Sequence, residues 1–287
     1  MSSGNQNASC CSCHPTPDID QLKELCRLMR IDIIKMLHKA GSGHPGGSLS
    51  AVEMIVALYF HHLRHNPKEP LWQDRDRFVL SKGHAVPVQY AALARAGYFD
   101  PALLDTLRTL GSPLQGHPDR LRCPGIEAST GALGQGLSIA VGMAMAAKLD
   151  QRDYRVFCML GDGESQEGQV WESALNAPTF KLDNLCAILD WNLGQLDGLV
   201  ADIQPIEPVA EKWAAFNWHV VEIDGNDIEQ CLAALQEADR TTDRPTMIIS
   251  RTIKGKGVSF MENDIPAWHG VAPNKDQTDA ALQELQG

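Results

Sequence analysis

Residues 155–163 read RVFCMLGDG, and residues 185–192 read LCAILDWN. Each is a short apolar run that stops abruptly at small or acid-and-amide residues. Runs of this length and apolarity suit strands covered on both faces, the situation in a parallel sheet. Three further runs of this kind lie at 77–81 (RFVLS), 219–223 (HVVEI) and 246–250 (TMIIS). Segments with helical spacing of apolar residues separate them. This alternation predicts an α/β fold, a doubly wound parallel sheet flanked by helices. In such sheets ligands gather at the carboxyl ends of the strands. Gly161-Asp162-Gly163 and Asp190-Trp191-Asn192 are therefore the first places to look for chemistry.

Outward from the sheet, residues 18–40 place Leu22, Leu25, Cys26, Met29, Ile33, Met36 and Leu37 at helical spacing. Asp18 or Asp20 can cap the start of this helix, and Gly41 ends it. Residues 48–62, 85–96 and 101–110 are predicted helical, and 111–134 form a Gly- and Pro-rich loop. Residues 135–149 form a helix of small side chains (Ala140, Gly142, Ala144, Ala146, Ala147), expected to be buried against another backbone. Residues 1–17 are polar and expected to be a disordered tail, which leaves 18–287 as one domain. Residues 274–287 read as a polar tail that fits a natural chain end.

The 287 residues are 44% hydrophobic and 21% charged, which suits a globular core. Lys plus Arg is 25 against 36 Asp plus Glu, a net charge of −11. That balance argues against a nucleic-acid partner. No apolar run approaches the roughly 18–20 residues of a membrane span, and the N-terminus has no apolar leader segment. The expectation is a soluble, cytoplasmic protein with reduced thiols and no membrane partner. Cys10-Cys11-Ser12-Cys13-His14 matches the haem-attachment pattern C-x-x-C-H, but attachment requires export, and zinc would require a fourth ligand. These read as adventitious thiols. Residues 41–46 (GSGHPG) match G-x-G-x-x-G, but they follow a helix instead of a strand, so they are not a dinucleotide fingerprint.

Two constellations carry chemistry. Asp162 offers a carboxylate and Asn192, at the end of the next strand, an amide oxygen. Such oxygens, joined by phosphate oxygens, are what Mg²⁺ or Ca²⁺ takes as ligands. Four histidines stand in separate Gly-flanked loops: His44 (SGHPGG), His84 (SKGHA), His117 (QGHPD) and His269 (AWHGVAP). Imidazoles in a polar pocket hydrogen-bond phosphate and hydroxyl oxygens and move protons near neutral pH.

In these motifs and their flanks the chain resembles the N-terminal, diphosphate-binding (PP-type) part of transketolase. The stretches that carry the resemblance are GSGHPGGSLSAVE (41–53), DRFVLSKGHA (76–85), GHPD (116–119), STGALGQGLSIAVGMA (129–144), GDGESQEGQVWESA (161–174), LDWN (189–192) and RTIKGKGVSFMEN…WHG (251–270). The resemblance implies thiamine diphosphate and a divalent cation, Mg²⁺ or else Ca²⁺ or Mn²⁺. It implies that Asp162, Asn192 and the backbone carbonyl of Gly194 hold the cation and that Gly163 contacts the diphosphate. Gly131, Ala132 and Leu133 would line the cofactor around its aminopyrimidine. His84, Lys254 and His269 would reach the cofactor or the sugar, and His44 and His117 would contact the sugar and assist its proton transfers. Glu167 and Glu172, with the 135–147 stretch, would lie near a subunit interface. One departure stands out. Relatives usually follow the Asn with Gly and then an apolar residue, whereas here the order is Asn192-Leu193-Gly194-Gln195.

The resemblance covers only part of the family's complete polypeptide. It implies a companion C-terminal subunit that binds the pyrimidine and supplies a catalytic glutamate, the two assembling as a heterotetramer. The expected reaction moves a two-carbon ketol unit from a ketose phosphate to an aldose phosphate. Three alternatives stay open: a transketolase of branched or sulfonated sugars, the α subunit of a 2-oxoacid dehydrogenase, and a non-catalytic PP-type subunit. The histidine loops suit polyhydroxylated sugars and weigh against the second. The third is favoured only by the Leu193-Gly194 order.

Overall fold

The computed structural model describes residues 17–287. The tail reading of residues 1–16, with Cys10, Cys11, Cys13 and His14, lies outside the described residues.

Helix α1 (Ile19–Ala40) begins at a reciprocal cap. The Asp18 carboxylate accepts from Gln21 N–H at 2.9 Å, and the Gln21 side chain accepts from Asp18 N–H at 3.0 Å. It ends at Gly41, whose left-handed φ of 62° lets its N–H reach the Leu37 and His38 carbonyls. The helix expected over 48–62 is instead α2 (Pro45–Ser50), α3 (Val52–Ala57) and a π-turn at Leu58–His62. Pro45 starts α2 three residues early, because its missing N–H costs nothing in a first turn. The break falls beside Ser50, whose hydroxyl is committed to the Gly47 carbonyl and the Asp190 carboxylate.

Strand β1 (Arg77–Leu80) leads into α4 (Val86–Ala96). The helix expected over 101–110 is a 3₁₀ segment, Pro101–Thr106. It stops where Leu107 turns extended and Arg108 adopts a positive φ of 59°. After the long loop come α5 (Gln135–Leu149), β2 (Val156–Gly161), α6 (Gly168–Thr179) and β3 (Leu185–Trp191). Then follow α7 (Val200–Ile203), α8 (Val209–Ala215), β4 (His219–Asp224), α9 (Ile228–Arg240), β5 (Thr246–Arg251), α10 (Ser259–Glu262) and α11 (Lys275–Gln286).

All strand pairs are parallel, in the order β1-β2-β3-β5-β4. The register sets Gly161 opposite Asp190, and Asp190 opposite Ser250, so these strand ends finish level. Alternate strand residues feed two cores. Phe157, Met159, Cys186, Ile188 and Ile248 pack with α1, α3, α4 and α9. Val156, Cys158, Leu160, Ala187, Leu189 and Ile249 pack with α5, α6 and α8. Strand β4 departs from the expected two-sided cover: it is an edge strand and only half-buried.

Helix α5 is buried along one face only. Leu137, Ala140, Val141, Ala144 and Ala147 face the core, while Gly142 and Ala146 are exposed and Leu149 is 80% exposed. The small residues that suggested full burial serve a single close approach. A Cβ on Gly136 would run into the side chain of Ser81 at the end of β1. Residues 274–287 are not a loose tail. Asn274 caps α11 with a second reciprocal box through Gln277, and Thr278, Ala281 and Leu285 are buried. Among the described residues the cysteines Cys26, Cys123, Cys158, Cys186 and Cys231 are free and buried. Among the described residues no helix is long and apolar enough to cross a membrane.

Candidate active site

The ends of β1, β2 and β3, the start of α2 and the loops after α4, β5 and α10 converge on one cleft of about 310 Å³. It is lined by His44, His84, His117, Gly131, Leu133, Asp162, Gly163, Glu167, Asn192, Gly194, Lys254 and His269 among others. Of the residues singled out in the sequence, Ala132 and Glu172 fall outside this lining. Ala132 is exposed between two lining neighbours, and Glu172 is exposed on α6.

Three of the histidines form a contact triangle. His44 stands edge-on to His84 with ring centroids 5.1 Å apart and to His269 at 5.6 Å, while His84 and His269 lie 5.3 Å apart with planes 30° from parallel. His117 packs against Gly131, where a Cβ would sit 3.0 Å from its ring. That glycine also holds φ at 146°, a value side chains rarely allow. Burial lowers the pKa of all four. His44 falls to about 4, with the Arg108 charge adding to burial. His269 falls to about 3, with Lys254 adding. His84 lies well below its ordinary value, with Lys82 adding, and His117 is lowered with help from Arg108. All four rings are therefore neutral at pH 7, able to accept a proton or a hydrogen bond. Nδ1 of His44 is buried without a partner. Lys254 is 1% exposed, and its Nζ lies 3.0 Å from Nδ1 of His269. Burial pulls its pKa down to about 8, while Asp162 opposes that shift.

Beneath the histidines runs a buried polar network that the sequence reading missed. Asp190 accepts from Lys82 Nζ at 2.5 Å, the Ser50 hydroxyl at 2.6 Å, Asn192 Nδ2 at 2.8 Å and the Thr252 hydroxyl at 2.6 Å. Burial works to raise the Asp190 pKa, but Lys82 and the hydroxyls outweigh it, so the carboxylate stays ionised. Lys82 also donates to the Gly47 carbonyl at 2.8 Å. Because Nδ2 of Asn192 is taken up by Asp190 and Ser50, its Oδ1 is turned the other way, toward Gly194 N–H at 3.2 Å. Glu164 is likewise buried. It accepts from the Ser81 hydroxyl and from the N–H groups of Gly134 at 2.9 Å and Gly161 at 3.0 Å, tying α5 to the end of β2. A charged side chain at or just past the carboxyl end of a parallel strand was the signal for Lys82 and Asp190.

Asp162 is 2% exposed, and its oxygens accept from the N–H groups of Gly163 at 2.8 Å and Leu193 at 2.5 Å. Among the described residues no Lys, Arg or His lies within ion-pair distance of it. Burial, with the Asp190 charge behind it, raises its pKa to about 7. Leu193 itself holds a positive φ of 66°.

A parallel sheet with glycine, carboxylate and amide at adjacent strand ends, facing three half-buried histidines, the more exposed His117 and two buried lysines, defines a site for an anionic, oxygen-rich ligand. Comparison with known proteins narrows the class. Residues 20–286 match the family model "Transketolase, thiamine diphosphate binding domain", and the chain belongs to that family. It is 45% identical over 265 residues to the 6-deoxy-6-sulfo-D-fructose transketolase subunit of Clostridium sp. (strain MSTE9), covering 92% of this chain and 96% of that one. It is 43% identical over 253 residues to an apulose-4-phosphate transketolase subunit of Phocaeicola vulgatus, covering 88% and 89%. The transketolase structure from Campylobacter jejuni superposes with a TM-score of 0.88 at 35% identity, covering 94% of this chain and 43% of that one. The chain thus spans nearly the whole of the first two relatives but under half of the full-length transketolases.

The residues present fit the family's cofactor. Gly163 faces Gln195, where a Cβ would meet its Cβ at 2.8 Å, so the strand end stays bare backbone. Asp162 is a buried carboxylate with no ion-pair partner within contact distance among the described residues, and Asn192 Oδ1 in the same cleft is an amide oxygen. Among the described residues no cluster of three His, Cys, Asp or Glu forms a metal cage. A carboxylate and an amide oxygen are hard donors of the kind a divalent cation takes together with phosphate oxygens and water.

Proposed function

We propose that this chain is the diphosphate-binding subunit of a two-subunit transketolase, holding thiamine diphosphate through a divalent cation. The observation that carries the reading is the convergence of Asp162, Asn192 and Gly194 with Lys254, His269, His84, His44 and His117 on one cleft. The pairing of whole-length similarity to named transketolase subunits with partial similarity to full-length enzymes supports the two-subunit assembly. When bound, the cofactor supplies the carbon nucleophile for ketol transfer.

The chain's own residues then take distinct tasks. Asp162, Asn192 and the Gly194 carbonyl would hold the cation, with Mg²⁺ as first choice, and Gly163 leaves room for the diphosphate. Lys254, His84 and His269 would reach the cofactor or the reacting sugar. His44 and His117, neutral at pH 7, accept protons from sugar hydroxyls and return them. Gly131 and Leu133, which line the cleft, would flank the aminopyrimidine, with Ala132 between them on the exposed side. A companion C-terminal subunit would bring the pyrimidine-binding domain and its glutamate. The strip Gly142, Ala146 and Leu149 on α5, with Leu175 on α6 and Glu167 and Glu172 nearby, is the surface we assign to subunit contact in a heterotetramer. Five buried free thiols suit the reducing cytoplasm.

The donor and acceptor are a ketose and an aldose with a terminal anion. Relatives are named for a sulfonated ketose and for a phosphorylated one, so both classes belong in the assay. Thiamine diphosphate binding is measured by calorimetry with Mg²⁺ on the chain alone and with the protein encoded next to it. Ketol transfer is then followed with phosphorylated and sulfonated ketoses. Binding and transfer that need the companion bear out the reading; no binding in either condition moves the chain to the non-catalytic class.

A further inference from the structure

Gly194 occupies a place where no side chain fits. A Cβ built there would run into Cγ2 of Ile265 and would lie 2.7 Å from Lys254 Nζ and 2.8 Å from Lys254 Cδ. Its neighbour Leu193 holds φ at 66°, in the left-handed region that glycine enters freely and leucine does not. The order is thus the reverse of what the backbone alone favours. The leucine gains little in return, since it remains 47% exposed. The turn is fixed on both sides. Leu193 N–H donates to Asp162, Val200 N–H donates to the Leu193 carbonyl at 2.9 Å, and Gly194 bridges to Leu199.

We propose that Gly194 is a positioning residue for Lys254: the missing side chain admits the buried lysine ammonium to the cleft floor beside His269, and the left-handed turn at Leu193 keeps that space open. Lys254 enters from the loop after β5, which is anchored independently. Thr252 donates to Asp190, Ile253 N–H donates to Asn226 Oδ1 at 2.8 Å, and Gly255 N–H donates to the Gly46 carbonyl at 3.1 Å. With its backbone fixed on one side of the cleft, the ammonium depends on the far wall for room, and Gly194 is that wall. Only the second arm of the test rests on the proposed function.

The first arm reads the imidazole nitrogens of the full chain by NMR without cofactor. Gly194→Ala displaces Lys254 and shifts the His269 Nδ1 signal. Lys254→Ala shifts it as well, and adding Gly194→Ala to Lys254→Ala moves it no further. Leu193→Gly leaves the signal in place and raises Tm by about 2–4 °C through relief of the left-handed leucine. Should Gly194→Ala not fold, the pair Gly194→Ala/Ile265→Ala removes the clash with Ile265 and keeps the one with Lys254. A His269 signal unmoved by the methyl at 194, or moved equally with and without Lys254, overturns the inference. The second arm measures thiamine diphosphate affinity in the assembled enzyme. Gly194→Ala and Lys254→Ala each weaken it by about 10- to 100-fold, the loss of one charge-assisted hydrogen bond, and not additively. If His269 moves while affinity holds, the positioning stands and the cofactor role of Lys254 falls.

Discussion

Lys82 Nζ stands 2.5 Å from Asp190 Oδ2, and each side chain is only 1% exposed. Through this pair the end of β1 is joined to the end of β3. Ser50 and Thr252, bonded to the same carboxylate, add α2 and the loop after β5. The ends of β1 and β3, the start of α2 and the loop after β5 thus meet on one buried carboxylate.

Breaking this pair from one side is expected to be expensive. Lys82→Met leaves the Asp190 charge buried with hydroxyl and amide donors alone, and should cost about 3–5 kcal/mol in urea unfolding. Lys82→Met with Asp190→Leu should recover much of that loss. A single-variant cost below about 1 kcal/mol would show that the pair is not what holds the strand ends together.

Asp162→Ala should abolish Mg²⁺-dependent binding of thiamine diphosphate while leaving the fold intact, because the side chain bonds only to two backbone N–H groups. Calorimetry of the assembled enzyme checks the first half and far-UV circular dichroism the second. Unchanged binding would refute the cation assignment.

The site histidines should titrate far below an ordinary imidazole, His44 near 4 and His269 near 3, in NMR titrations of the cofactor-free chain. The sign for stability follows. With folded values below the unfolded value of about 6.5, each ring binds its proton less readily in the native state. Their contribution is fully present above that pH and is lost as pH falls through it, down to the folded values. Titration of both rings near 6.5 would mean that the cleft is far wetter than its burial indicates.

The final helix should contribute to global stability. Asn274→Ala removes the α11 cap and should cost about 1 kcal/mol. Leu285→Ala, which empties a buried contact, should cost about 2 kcal/mol or more. Values near zero for both in thermal unfolding would show that α11 frays without consequence for the rest.

The sheet was readable because β2 and β3 are covered on both faces, so their composition alone announces them. Asp162 and Asn192 were readable as strand-end residues of one cleft, and the histidines because they stand in Gly-flanked loops. Other features left weaker traces. Helix α11 buries only Thr278, Ala281 and Leu285, and its polar remainder looks like any solvated segment. The exposed strip of α5 was unreadable because alanine and glycine serve close packing and bare surface equally well. Asp190 was legible as part of a strand end, but its pairing with Lys82 was not, because the two lie 108 positions apart and only the parallel sheet brings them together. The Leu193-Gly194 order was visible at once, but its meaning lies in a backbone angle and in the lysine that fills the space.

The guanidinium of Arg27 in α1 donates to the carbonyl of Leu285 at the end of α11, a contact between residues 258 positions apart. During synthesis this side of the first helix has no partner until α11 has left the ribosome. Part of its apolar stripe therefore stays uncovered while all the intervening strands and helices are made. The docking of α11 on α1 thus closes the longest loop among the side-chain hydrogen bonds of the described residues, which is the kind of pairing that chain entropy makes slow to form.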